Sequence, residues 1–201
     1  VVERGGLPDT IMIDPSGFLA DSRFFDRCYW ECIDDAKASV ICDDLSRRVN
    51  SGPLLEAQGS QPAAHRPLLT DLTADPRPKV LVILQLRGDT AVRFFTAGHS
   101  YDEFLQQVEL LADERDLLVL TKRHPLSDPG PVPGIDVSDI HLNDLLAVSD
   151  CVTTFSSGTA LHAMLAGVPI AFAGLPFWGH PALASPYRGP EDLRRLIAEG
   201  M

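Results

Sequence analysis

Long hydrophobic runs, basic charge and cysteine are all scarce in this 201-residue chain. No apolar run approaches the roughly 20 residues needed to span a bilayer, and no signal peptide is visible. Lys and Arg number 17 against 28 Asp and Glu, a net charge of −11. That balance excludes a general nucleic-acid-binding surface, which needs a basic face. It leaves room for a small basic pocket around one anionic ligand. The four cysteines are Cys28, Cys32, Cys42 and Cys151. They are too few for a disulfide framework and form no C-x-x-C pair. Cys28 and Cys32 share a helical face, but no histidine or second pair completes a metal set. They read as buried, reduced thiols of a cytoplasmic protein. Three nucleotide and hydrolase signatures are also missing: G-x-x-x-x-G-K-[ST], G-x-G-x-x-G and G-x-S-x-G.

What is present is enough apolar material, 45% of residues, for a sizeable core. The stretch that organises the chain is Asp150–Pro169, D-C-V-T-T-F-S-S-G-T-A-L-H-A-M-L-A-G-V-P. It reads as a β-type run at Cys151–Thr154, a hydroxyl-and-glycine turn, a helix over Thr159–Ala166 and a second apolar run from Val168. That is one unit of a parallel α/β sheet. Ser156, Ser157 and Thr159 put hydroxyls, with Gly158, at a helix start. Unpaired N–H groups and the helix dipole favour an anion there. The plainer alternative is that one serine is only the helix cap.

The chain starts at Val1, inside a strand-like run, and is expected to be a fragment without the upstream part of its first domain. A strand over Thr10–Asp14 and a helix from Phe24 to about Val49 follow. Gly59–Pro78 holds four prolines and reads as a linker. The expected domains are therefore 1–58, the tail of an N-terminal α/β domain, and 79–201, with 59–78 between them. From Lys79 the pattern alternates β and α: strands at Lys79–Leu86, Asp116–Thr121, Cys151–Thr154 and Val168–Ala173, and helices at Tyr101–Glu114, Ile140–Val148 and Glu191–Glu199. This predicts an open, mostly parallel, Rossmann-type sheet.

Ligands of such sheets bind beyond the carboxyl ends of the strands. Three polar clusters fall there: Arg87–Thr90, Lys122–Pro125 and Ser156–Thr159. His124 can donate to a phosphate oxygen, Lys122 supplies a point charge and Arg123 a planar fork. Standing alone, K-R-H-P would read as a surface basic turn. Together with the Ser156–Thr159 turn it reads as a site for a phosphate-bearing ligand. Asp89 follows the first strand of this region and is either a turn or N-cap aspartate or a carboxylate facing a reacting carbon. Glu3 also ends a strand, in the other domain. Two carboxylates meeting across a cleft suit glycosyl transfer or hydrolysis.

The order of these motifs resembles the bacterial capsule polysaccharide biosynthesis proteins that transfer Kdo, a 3-deoxy sugar acid, from CMP-Kdo. The matching stretches are V-E-R-G-G-L-P-D-T (2–10), I-D-P-S-G (13–17), Q-L-R-G-D-T (85–90), K-R-H-P (122–125), T-F-S-S-G-T-A-L-H-A-M-L-A-G-V-P (154–169) and F-A-G-L-P-F-W-G (172–179). The His-Pro and Ser-Ser pairs are also similar to the CMP-binding motifs of bacterial sialyltransferases. The resemblance implies a GT-B-like, two-domain retaining β-Kdo glycosyltransferase. Lys122, His124, Ser156, Ser157, Gly158 and Thr159 would bind the donor nucleotide. Asp89 would be the nucleophile and Glu3 the residue acting on the acceptor hydroxyl. No metal and no cofactor beyond the CMP-sugar donor is implied. The implied partners are a glycan or glycolipid acceptor and capsule-assembly machinery at the inner face of the membrane, with a cytoplasmic location and no nucleic acid. His162 stands where many relatives carry a glutamate, which bears on nucleotide choice. The alternatives are a GT-B enzyme or epimerase using a UDP- or GDP-sugar, and a non-catalytic nucleotide-sugar-binding module of capsule assembly or export.

Overall fold

The computed structural model describes residues 2–4, 7, 10–13, 34–51 and 66–199. Val2–Arg4 (β1) pairs antiparallel with Ile11–Ile13 (β2). Asp35–Ser51 (α1) is the described part of the helix expected from residue 24; residues 24–33 of that expectation lie outside the described residues. Arg66–Ala74 (α2) falls inside the stretch expected to be a linker. The correction has a local reason. Pro67 sits in the first turn, where a missing N–H breaks no helical bond. Leu68, Leu69 and Leu72 then form an apolar stripe, and Leu72 is buried in the core.

The main sheet is built from Lys79–Ile83 (β3), Leu118–Lys122 (β4), Ile135–Asp136 (β5), Cys151–Thr154 (β6), Ile170–Phe172 (β7) and Ser185–Pro186 (β8). Its six strands run in the order β5-β4-β3-β6-β7-β8, and all five pairings are parallel. The open parallel sheet expected from the alternating pattern is present. Connecting helices are Thr90–Phe94 (α3), Tyr101–Ala112 (α4), Leu142–Leu146 (α5), Ala160–Leu165 (α6) and Pro190–Glu199 (α7). The two-residue edges β5 and β8 and the short α3 have no periodicity long enough to announce them.

The central strands are mainly apolar and buried along their whole length because both faces are covered. Leu81, Ile83, Leu118, Leu120, Val152 and Ile170 point to one face and meet α2, α5 and α6. Val80, Val82, Val119, Cys151 and Ala171 point to the other and meet α4 and α7. Each fully buried branched side chain contributes about 1.5–3 kcal/mol. Beyond the sheet, the C-terminal part of α1 packs over this first layer: Val49 is buried and its carbonyl accepts from Asn143 Nδ2 of α5 at 3.0 Å. No helix among the described residues is long and apolar enough to cross a membrane.

One topological feature positions the site. From β3 the chain moves outward to β4 and β5, then returns to place β6 on the other side of β3. The loop after β3 leads to α3 and α4, and the loop after β6 leads to α6, on opposite faces. The carboxyl ends of β3 and β6 are therefore the switch point of the sheet, the place where ligands of open α/β sheets bind in a crevice.

Candidate functional site

The three polar clusters reach the same edge of the sheet. Ile83 is in register with both Lys122 and Thr154. Gln85, His124 and Ser156 each follow two residues later, in the loops that leave these three adjacent strands. β4 and β6 flank β3, so the loops that carry His124 and Ser156 leave the sheet on either side of it.

The β6–α6 loop carries most of the donors. Ser156 is 6% exposed, and its N–H donates to Gln85 Oε1 at 2.8 Å. Ser157 Oγ accepts from Thr159 N–H at 3.2 Å, and Ser157 O accepts from Trp178 Nε1 at 3.1 Å. Trp178 is itself buried and packs edge-on against Phe172 at 5.6 Å, so it braces the loop from below. The helix contributes less than the sequence suggests. α6 begins at Ala160 and runs six residues, so its dipole is short, and Thr159 makes no side-chain cap bond. Among the described residues the N–H groups of Ser157 and Gly158 and the hydroxyl protons of Ser156 and Thr159 meet no acceptor. The donors open at this end of the sheet therefore belong to the loop rather than to the helix.

After β3, the chain turns at Arg87-Gly88-Asp89. Asp89 is exposed and caps α3, its Oδ1 accepting from Ala91 N–H at 2.9 Å. The cap holds one carboxylate oxygen and leaves the other facing no donor among the described residues. Arg87 pairs with Asp102 and lies over the Tyr101 ring.

After β4, His124 Nδ1 accepts from Leu126 N–H at 3.1 Å. That bond places the proton of a neutral imidazole on Nε2. Lys122 behaves otherwise than expected. It is 3% exposed, and its Nζ donates to Ser138 O at 2.8 Å and Ile140 O at 2.7 Å. Burial pushes its pKa down to about 8, with Asp139 and Asp136 pulling the other way. An even-numbered strand position beside Ile83 turns the side chain under the sheet toward the β5–α5 loop, so Lys122 holds that loop rather than the crevice. Arg123 pairs with Asp136 beside it.

The Glu3 backbone pairs with Met12 across β1 and β2; its side chain lies outside the described residues. His162 is buried on α6, within the helix layer over the sheet. No three metal-ligating side chains gather among the described residues.

Gln85 is the residue the motif reading passed over. Its Oε1 accepts from Ser156 N–H, its Nε2 donates to Ser156 Oγ at 3.4 Å, and Thr154 Oγ1 lies at 3.5 Å from Oε1 while donating to Ile83 O at 2.9 Å. Its backbone N–H and carbonyl are both bonded to Tyr101 Oη, at 2.8 and 2.9 Å. The signal was one amide inside an otherwise apolar run, V-L-V-I-L-Q-L.

No protein-family model matches the chain, and no curated protein matches it. Solved structures do. The β-Kdo 2,7 transferase KpsC of Thermosulfurimonas dismutans is similar with a TM-score of 0.66 and 17% identity, over 100% of this chain and 67% of that one. The β-Kdo 2,4 transferase KpsC of the same organism is similar with a TM-score of 0.63 and 18% identity, over 99% of this chain and 70% of that one. The chain therefore has the GT-B-like α/β fold of the KpsC β-Kdo transferases.

Proposed function

We propose that this protein is a retaining glycosyltransferase that moves Kdo, or a related acidic sugar, from a CMP-sugar donor to a capsule or lipid-linked glycan. The observation that supports this reading is the convergence of the β3, β4 and β6 loops on one switch-point crevice, in a chain that shares its fold with two β-Kdo transferases. The crevice is rich in neutral donors, which suits the phosphate of a nucleotide leaving group.

In this reading the Ser156–Thr159 loop and His124 hold the CMP phosphate. The free oxygen of Asp89 attacks the anomeric carbon. The bond from that carbon to the phosphate oxygen breaks, and its electron pair leaves with CMP. The loop donors and the imidazole offset the charge that develops on the phosphate. An acceptor hydroxyl then attacks the glycosyl ester on Asp89, Glu3 takes its proton, and the Asp89 carboxylate is released. Two inversions give net retention. The cap from Ala91 N–H fixes the orientation of the attacking carboxylate. A glycolipid acceptor places the enzyme at the cytoplasmic face of a membrane, associated peripherally.

Calorimetric titration with CMP, UDP and GDP tests the nucleotide, and CMP binding at least about tenfold tighter than either is expected, a margin of about 1.4 kcal/mol. Equal or tighter UDP or GDP binding overturns the CMP donor. Asp89→Ala should keep CMP binding and lose transfer from CMP-Kdo by about a thousandfold or more. CMP binding by the wild type without any transfer assigns the chain a non-catalytic role.

A further inference from the structure

The mechanism above needs Ser156 to donate to the nucleotide phosphate, and a hydroxyl can turn its proton either way. The neighbouring amide decides the direction. Ser156 N–H donates to one end of the Gln85 carboxamide at 2.8 Å, which identifies that end as the oxygen. The other end is then NH2, and it lies 3.4 Å from Ser156 Oγ. A lone pair of the hydroxyl is thereby occupied from the strand side. Its own proton meets no acceptor among the described residues, although Ser156 is only 6% exposed. Gln85 is 8% exposed and is locked in turn, because its backbone N–H and carbonyl both bond to Tyr101 Oη. Neither Gln85 nor its amide can rotate without breaking buried bonds.

We infer that Gln85 is a positioning residue that sets the polarity of Ser156, aiming the hydroxyl proton out of the protein and into the crevice, where it meets the phosphate of a bound nucleotide. This rests on the proposed nucleotide site and adds the group that orients it. A glutamate at this position keeps the acceptor for Ser156 N–H and removes the donor to Oγ. The hydroxyl then turns its proton inward to the carboxylate and offers the phosphate a lone pair instead.

The test measures CMP binding to the protein by calorimetry between pH 5 and 8, with Gln85→Glu and Ser156→Ala. At pH 8, Gln85→Glu should bind CMP at least about tenfold more weakly than wild type, the loss expected for a hydrogen bond to a charged group. The ratio of variant to wild-type affinity should recover as pH falls. A buried carboxylate titrates above its ordinary range, and once protonated it can donate to Ser156 Oγ again. Comparing the two proteins at each pH cancels the titration of CMP itself. A merely structural role would leave the ratio flat with pH, and a flat ratio overturns the inference. Ser156→Ala keeps its backbone bond to Gln85 and should also lose about tenfold. A dissociation constant within twofold of wild type overturns the inference even if Gln85→Glu fails to fold. Failure of wild type to bind CMP is a separate result: it overturns the nucleotide reading on which this inference rests.

Discussion

Removing one oxygen from the core, Tyr101→Phe, should unsettle both the fold and the crevice. The Tyr101 ring stacks on Phe104 with centroids 5.8 Å apart and meets Phe155 edge-on at 5.5 Å. Phenylalanine keeps those contacts. What it loses is the hydroxyl that accepts from Gln85 N–H at 2.8 Å and donates to Gln85 O at 2.9 Å. Gln85 is 8% exposed, so water does not readily replace either partner. Two hydrogen bonds go, and two buried backbone groups are left without partners, which together costs about 2–4 kcal/mol. For a chain of this size that lowers Tm by about 5–15 °C. Thermal unfolding followed by circular dichroism reads it directly. The effect also depends on pH with a defined sign. Burial raises the Tyr101 pKa above its ordinary 10.0. Between the unfolded and folded values the folded state holds more protons, so the wild-type advantage is full below pH 10 and shrinks above it. A Tm within about 1 °C of wild type at pH 7 would refute the reasoning, since it would mean that the Gln85 backbone finds other partners at no cost.

Three further outcomes follow from the same geometry. Burial pushes the Lys122 pKa from 10.5 to about 8, so between those values the unfolded chain binds the extra proton and stability rises with pH. Urea unfolding from pH 7 to 10.5 should show wild type gaining up to about 3 kcal/mol relative to Lys122→Met, and a flat difference refutes the burial argument. Gly134→Ala should destabilise by about 2–4 kcal/mol, because its φ is +71° and an added Cβ would meet Val119 O at 2.4 Å; Gly98→Ala, at φ +80° with nothing within 4 Å, should lose only about 1–2 kcal/mol in the same melts. Trp178→Phe removes the bond to Ser157 O at 3.1 Å while keeping most of the packing on Phe172. It should weaken CMP binding several-fold by calorimetry with a stability loss of only about 1 kcal/mol.

Much of the fold could be read directly from the chain. The runs at 80–83 and 118–120 are apolar throughout, and only strands covered on both faces tolerate that. Their alternation with helical periods predicts a parallel sheet, and parallel sheets bind ligands at the carboxyl edge. Local patterns misled where burial came from distant partners. Leu72 makes a helix out of a proline-rich stretch because it reaches the core. Lys122 reads as a surface cation in K-R-H-P, yet its strand parity carries it under the sheet to two carbonyls.

The sequence by itself determined the class of architecture, the sheet edge at which the polar clusters gather and the residue types offered there, because hydrophobic period and strand-end chemistry are properties of short segments. Tertiary structure alone decided which of those residues act together. The order β5-β4-β3-β6-β7-β8 brings Gln85 against Ser156, 71 positions away, and fixes which way a hydroxyl can point. No local pattern encodes that, since strand order and the direction of a buried hydrogen bond are set only when the whole sheet closes around them.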